Sequence, residues 1–222
     1  MIKKIFLAIS ILFVFGCETD NTNDNTVTDI DGNTYPTVTI GSQVWMAKNL
    51  DVSRYRNGDP IPQVQDQTEW SNLTTGAWCY YENNTANGPI YGKLYNWYAV
   101  NDPRGLAPEG WHVPNNNDWN SMRVFIGCDT VNFYSTEAGK LREVGTTHWG
   151  TTHTGVTNET GFTALGAGYR TFDSRFRDLL YDTYWWSGNT LPYLLGITVD
   201  DEYCSLFVES YRFGASVRCI KD

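Results

Sequence analysis

Side chains able to do acid–base, nucleophilic or metal chemistry are few in this chain, and poorly spaced for it. His112, His148 and His153 are the only histidines. His148 and His153 are separated by more than the i, i+4 spacing that puts two ligands on one helix face, and they lie in a Thr/Gly stretch, so both are expected as polar loop histidines. Trp186-Ser187-Gly188 lacks the Gly-x-Ser-x-Gly context of a nucleophile elbow and suits the end of a strand. No phosphate-binding loop or dinucleotide fingerprint occurs. The sequence therefore predicts no catalytic residue and no cofactor.

Binding candidates are as sparse. Asp29-Ile30-Asp31-Gly32-Asn33 starts like a calcium loop, but its glycine comes too early and no glutamate closes it; a hairpin turn is expected there, and no metal. Asp200-Asp201-Glu202 forms an acidic loop tip, readable as a ligand or cation site or as a solvated turn. Trp185 and Trp186 are adjacent, so in a strand they face opposite ways. One would enter the core, while the other would offer a stacking face for a sugar.

Four of the five cysteines, Cys79, Cys128, Cys204 and Cys219, allow three pairings. If Cys204–Val208 and Ala215–Cys219 form a hairpin over Glu209–Gly214, Cys204 faces Cys219 at a separation a disulfide spans. Cys79 and Cys128 would then pair by elimination.

Position depends on the elements. Breakers at Asp31-Gly32-Asn33 and Gly41-Ser42-Gln43 divide Val27–Ile30, Thr34–Ile40 and Val44–Ala47 into a three-strand meander. Residues 51–90 are irregular around Asn57-Gly58-Asp59-Pro60 and Asn87-Gly88-Pro89, with Trp78–Tyr81 as a strand between. Lys93–Val100 has helical spacing. The clearest helix starts at Asn115, a cap that Asp118 can answer from the third helical position. Trp119, Met122 and Ile126 share one face, and Gly127 terminates it. A second helix, Thr136 to Val144, would end at Gly145. Strands return at Phe162–Leu165, Tyr184–Ser187, Leu194–Val199, Cys204–Val208 and Ala215–Ile220. The expected class is α+β, with two main helices, short antiparallel strands and long loops.

The N-terminus differs from all of this. Lys3 and Lys4 precede the apolar run Ile5–Phe15, which is too short to span a bilayer but long enough for an export signal. The run ends at Val14-Phe15-Gly16-Cys17, a lipobox-like site at which cleavage would leave Cys17 acylated. Residues 1–16 are thus expected as a lipoprotein signal peptide and 17–26 as an acidic, disordered tether. Residues 27–222 are expected as one domain. Loss of Lys3 and Lys4 would leave 14 of the 16 basic residues against 25 acidic ones, −11 in place of −9. That charge argues against a nucleic-acid partner. The lipid would be the sole membrane attachment, at the outer membrane and facing the cell surface, where disulfides form.

Several strings together carry a resemblance: Asp29–Tyr35, Val44–Leu50 (Val-Trp-Met-Ala-Lys-Asn-Leu), Tyr91–Trp97 (Tyr-Gly-Lys-Leu-Tyr-Asn-Trp), Leu106–Pro114 (Leu-Ala-Pro-Glu-Gly-Trp-His-Val-Pro), Asp118-Trp119, and Gly214–Ile220 (Gly-Ala-Ser-Val-Arg-Cys-Ile). In that order they resemble the Fibrobacter succinogenes major paralogous domain, a family of exported proteins rich in lipoproteins. More distantly, the Trp-His-Val-Pro string before a capped helix and Ser-Val-Arg-Cys near the end are similar to the C-type lectin fold, shared by formylglycine-generating enzymes. That likeness implies paired N- and C-terminal strands and a long loop region. The lectins' Glu-Pro-Asn, Gln-Pro-Asp and Trp-Asn-Asp triplets are missing, and the enzyme's reactive cysteine pair cannot be placed. The function expected is non-catalytic binding or adhesion at the cell surface, to a glycan or a surface protein. The rivals are an enzyme or protein-modifying accessory of the formylglycine-generating group and a structural subunit of a surface complex.

Overall fold

The computed structural model describes residues 25–128, 136–151, 154–199 and 204–222. The signal and most of the tether, with Cys17, lie outside the described residues, as do His153, Asp200, Asp201 and Glu202. The chain is mixed, with many short strands and few helices. The strands are β1 (Thr26–Thr28), β2 (Thr34–Ile40), β3 (Gln43–Met46), β4 (Trp78–Cys79), β5 (Leu94–Tyr95) and β6 (Trp111–His112). After the helical region come β7 (Ala167–Arg170), β8 (Phe176–Leu179), β9 (Asp182–Trp186), β10 (Tyr193–Thr198), β11 (Cys204–Val208) and β12 (Ile220–Lys221). One five-stranded sheet runs β1-β2-β3-β12-β6 and the other β11-β10-β9-β7-β8, while β4 and β5 form a two-stranded ribbon. Pairing is antiparallel except for β7 against β9.

The N-terminal meander forms as its turn residues require. Asp29 Oδ1 accepts the amides of Asp31 and Asn33, each at 2.9 Å, and Oδ2 accepts the Tyr35 hydroxyl at 2.5 Å. The carboxylate is thereby spent inside the turn, as the hairpin expectation held. Between β2 and β3 the loop is two residues, closed by Ile40 opposite Gln43, and Gly41 takes φ 63° there, a conformation glycine adopts without steric cost.

The eleven-residue helix Asn116–Ile126 is bounded by the expected caps. Asn115 Oδ1 accepts from Asn117 and Asp118, and the Asp118 carboxylate accepts the Asn115 amide at 2.8 Å. Gly127 closes the helix at φ 95°. Trp119, Met122 and Ile126 are buried from this helix. They join Trp45, Phe162 and Trp185 in one core cluster. A second cluster gathers Tyr35, Met46, Tyr95, Trp186 and Val217, so the alternation of β9 sends its two tryptophans into different cores.

Several sequence expectations need correction, among them the strand Trp78–Tyr81, which is only Trp78–Cys79 before a 3₁₀ turn begins at Tyr81. Thr136 to Val144 forms only the 3₁₀ turn Thr136–Lys140. Lys93–Val100 is split: β5 ends where the Asn96 side chain accepts the amides of Ala77 and Ala99, both at 3.0 Å, and caps a single turn, Trp97–Val100. Phe162–Leu165 is not a strand and makes one bridge, Ala164 to Arg142. The hairpin of Cys204–Val208 with Ala215–Cys219 does not form. Instead β11 pairs with β10, Ile197 opposite Cys204, while residues 214–219 bond to other segments.

The segment expected as a final strand is a seam. Gly214 bridges Arg170, Ala215 bridges Tyr95 and Ser216 bridges Trp185. Val217 and Cys219 carbonyls accept the amides of Leu50 and Met46, before β12 enters between β3 and β6. One stretch thus ties the ribbon to both larger sheets, and the N-terminal β2–β3 hairpin shares a sheet with the C-terminal strand. Irregular segments are tied by guanidinium groups, whose several donors suit buried carbonyls. Buried Arg170 donates to the carbonyls of Val64, Gln65 and Asp66 and lies 4.3 Å from the Trp70 ring centroid. Arg56 holds Ala107 and Trp111 carbonyls of the Leu106–Pro114 string, each at 2.8 Å.

Candidate functional site

The sequence pointed to Trp185 and Trp186 for a stacking face, and the structure overturns this: both are fully buried. Their indole N–H groups are spent internally, Trp185 Nε1 on Asn49 Oδ1 at 2.8 Å and Trp186 Nε1 on the Tyr95 carbonyl at 2.7 Å. The Cys204–Cys219 bridge is overturned as well. All four described cysteines carry thiols, and Cys204 and Cys219 belong to different core clusters. Cys79, proposed as the partner of Cys128, lies in a third.

An aromatic surface exists elsewhere. Trp97 and Tyr98 stand on the single turn that Asn96 caps, and Tyr211 stands on the turn after β11. The Trp97 amide donates to the Tyr211 carbonyl at 3.0 Å, which locks the two turns together. The Tyr98 and Tyr211 rings stack 5.7 Å apart at 26°. Trp97 meets Tyr211 edge-on at 4.9 Å. Tyr211 is 41% exposed, Tyr98 is half-buried, and Trp97 lies beneath them.

Trp97 and Tyr98 line a cleft of about 440 Å³ with Pro60, Asn101, Asp102 and Arg104 among its other walls. Its polar side is preorganised. Arg104 Nε and Nη2 donate to the two Asp102 oxygens at 2.8 and 2.9 Å, and Nη1 reaches Asp59 at 3.1 Å. The guanidinium lies over the Tyr55 ring, 3.9 Å from its centroid. The Arg104 hydrogen bond is the main reason the Asp102 carboxyl sits below its ordinary value. Asp59 is lowered too, by hydrogen bonds from Asn57 and then Arg104. Both carboxylates stay ionised and occupied by donors, which suits recognition of hydroxyl groups better than proton transfer. A sequence signal for this site was present in Tyr95-Asn96-Trp97-Tyr98 followed by Asn101-Asp102-Pro103, an aromatic run leading into a polar turn. Tyr211 is far away in sequence and carried none.

A second cleft of about 450 Å³ is lined by Lys48, Asn49, Glu143, His148 and Arg218 among others. His148 Nδ1 lies 2.8 Å from Glu143 Oε2, with the Tyr91 ring edge-on at 5.7 Å. His148 is thus a loop histidine, as expected, paired with a carboxylate in this cleft. Arg218 is buried and has no carboxylate partner among the described residues. It donates to Asn49 Oδ1 at 2.8 Å and to the carbonyls of Phe162 and Thr163. Burial pulls its pKa down to about 9. Asn49 also donates to the Tyr91 carbonyl at 2.9 Å and to Ser216 Oγ at 3.2 Å. It therefore joins three of the strings that carry the resemblance, Val44–Leu50, Tyr91–Trp97 and Gly214–Ile220. Most of the side chains these strings contribute here hold the fold. His112, the remaining described histidine, bridges Asp118 at 3.2 Å and the terminal Asp222 at 2.6 Å.

Among the described residues no three His, Cys, Asp or Glu side chains group as metal ligands, and no helix is long and apolar enough to cross a membrane. Residues 38–221 match the family model of the Fibrobacter succinogenes major domain. No curated protein and no solved structure matches the chain.

Proposed function

The chain belongs to the Fibrobacter succinogenes major domain family, and from that premise we propose a non-catalytic, glycan-binding module carried at the cell surface on a lipid anchor at Cys17. The observation that carries this is the exposed Tyr98–Tyr211 stack above Trp97, set beside a cleft with Asn101 and the Asp102–Arg104 pair on its polar side. A sugar ring presents an apolar face ringed by hydroxyls. It needs an aromatic surface with an apolar body and a polar edge, and a few fixed donors and acceptors that set its orientation. We assign the architecture to the C-type lectin-like class. The sheet shared by the terminal strands and the long loop-rich region 47–110, which holds only short elements, support that assignment.

The test is a glycan array probed with the soluble chain beginning after Cys17, with calcium and with chelator. Retention of a set of glycans, cut at least tenfold by Tyr98→Ala and unaffected by chelator, is the expected result. No retention, or retention that Tyr98→Ala leaves intact, overturns the site. The rival enzyme would use the His148–Glu143 pair as its base, so the array eluate is also to be inspected by mass spectrometry. A chemically altered glycan whose appearance stops with His148→Ala would replace binding by catalysis.

A further inference from the structure

We propose that Cys128 and Cys204 become a disulfide when the chain folds in an oxidising compartment, fastening the end of the long helix to the opening of β11. Both side chains lie in the same core cluster, 6% and 1% exposed, close enough for the Cys128 thiol to act on the protonation of Cys204. The two backbones are fixed independently. The Cys128 amide donates to the Arg123 carbonyl at 2.8 Å just past the helix cap, and Cys204 is held in the ladder opposite Ile197. Cys79 packs with Trp70 and Leu94, and Cys219 packs with Trp111 and Val217. Of the four described thiols, the structure brings these two together.

The oxidant class is a disulfide donor, R–S–S–R, such as a thiol–disulfide exchange protein or oxidised glutathione. One cysteine thiolate attacks a donor sulfur and expels one R–S⁻, giving a mixed disulfide. The second thiolate attacks the cysteine sulfur of that mixed disulfide and expels the other R–S⁻. The chain loses two protons and two electrons, and the donor disulfide is reduced to two thiols. In the closed core the Cys204 thiol is held protonated, first by its hydrogen bond with Cys128 and then by burial, while Arg123 acts in the opposite direction. Exchange therefore belongs to the folding chain, before the core excludes the donor.

The full chain is to be refolded in detergent with oxidised and reduced glutathione, denatured, alkylated without reductant, digested and mapped by mass spectrometry. The expected outcome is a linked peptide pair containing Cys128 and Cys204, with Cys79 and Cys219 alkylated. The thermal midpoint should fall by roughly 5–15 °C on adding reductant, since the bridge closes a long loop. In the Cys128→Ser/Cys204→Ser double variant that reductant effect should vanish. Alkylation of both Cys128 and Cys204 after oxidative refolding, or a link from either of them to Cys17, Cys79 or Cys219, overturns the proposal. Thiol mapping is indifferent to glycan binding, so it stands or falls apart from the array.

Discussion

At the scale of single residues, Asn49 and Asp102 separate holding the fold from holding a ligand. Asn49 Oδ1 is shared by the Arg218 and Trp185 donors, so Asn49→Ala leaves a buried guanidinium N–H and an indole N–H without their acceptor. Hydrogen bonds to charged groups and orphaned buried donors each cost about 1–3 kcal/mol. A loss of about 3 kcal/mol in denaturant unfolding is expected, and a loss below about 1 would show that the hub is dispensable. Asp102 is half-buried beside a partly exposed Arg104, and an ion pair at the surface contributes little to stability. Asp102→Asn removes one of the acceptors aiming Arg104, so retention on a glycan array should fall while the melting temperature hardly moves. A melting temperature that collapses would instead make Asp102 a structural residue. Sequence reading found the wrong aromatics for a physical reason. Trp185 and Trp186 occupy β9, which is covered on both faces by core clusters, and alternation reveals direction but not what covers a face. Trp97 and Tyr98 fit the helical spacing of Lys93–Val100, and their partner Tyr211 is reached only through tertiary folding.

At the scale of elements, local chemistry was legible and pairing was not. The helix Asn116–Ile126 is readable because its cap, its buried face and its terminating glycine are written within thirteen consecutive residues. Asn115→Ala should cost about 1 kcal/mol and Gly127→Ala about as much, since alanine is strained at φ 95°. Each is expected to lower the melting temperature by about 2–4 °C, with near-additive effects because the two caps act at opposite ends. A neutral Gly127→Ala would mean the helix end relaxes at no cost. At β11 the strand is legible and its partner is not: alternating apolar residues specify a strand, not which neighbour it takes. Ala215–Ile220 was misread for the opposite reason. Its apolar residues suit a strand, yet successive residues bond several different segments, and no local periodicity encodes that.

At the scale of the whole molecule, burial of acids that ordinarily stay protonated at neutral pH sets the direction in which stability fails. Burial raises the Cys79 thiol from 9.0 to about 11 and, ahead of the Asp102 charge, the Tyr55 hydroxyl from 10.0 to about 12. Tyr95 and Cys219 are raised as well, in both cases chiefly by burial. For an acid whose folded value is raised, the unfolded chain releases its proton first. Stability is therefore complete below the unfolded value and lost as pH climbs through the folded one. The carboxylates move the other way: Asp102 and Asp59 are lowered by hydrogen bonds from Arg104 and Asn57, and their contribution is lost as pH falls. These acids stand near solvent and their bonds are screened, whereas the raised groups sit in the core. Melting temperatures should therefore hold from mildly acidic pH to about pH 9 and then drop steeply toward pH 11. Cys79→Ala should soften the start of that drop, and oxidation of Cys128 with Cys204 should leave the Cys79 share in place. A profile that fails first on the acid side would mean that the solvated carboxylates, not the protonated core, limit this domain.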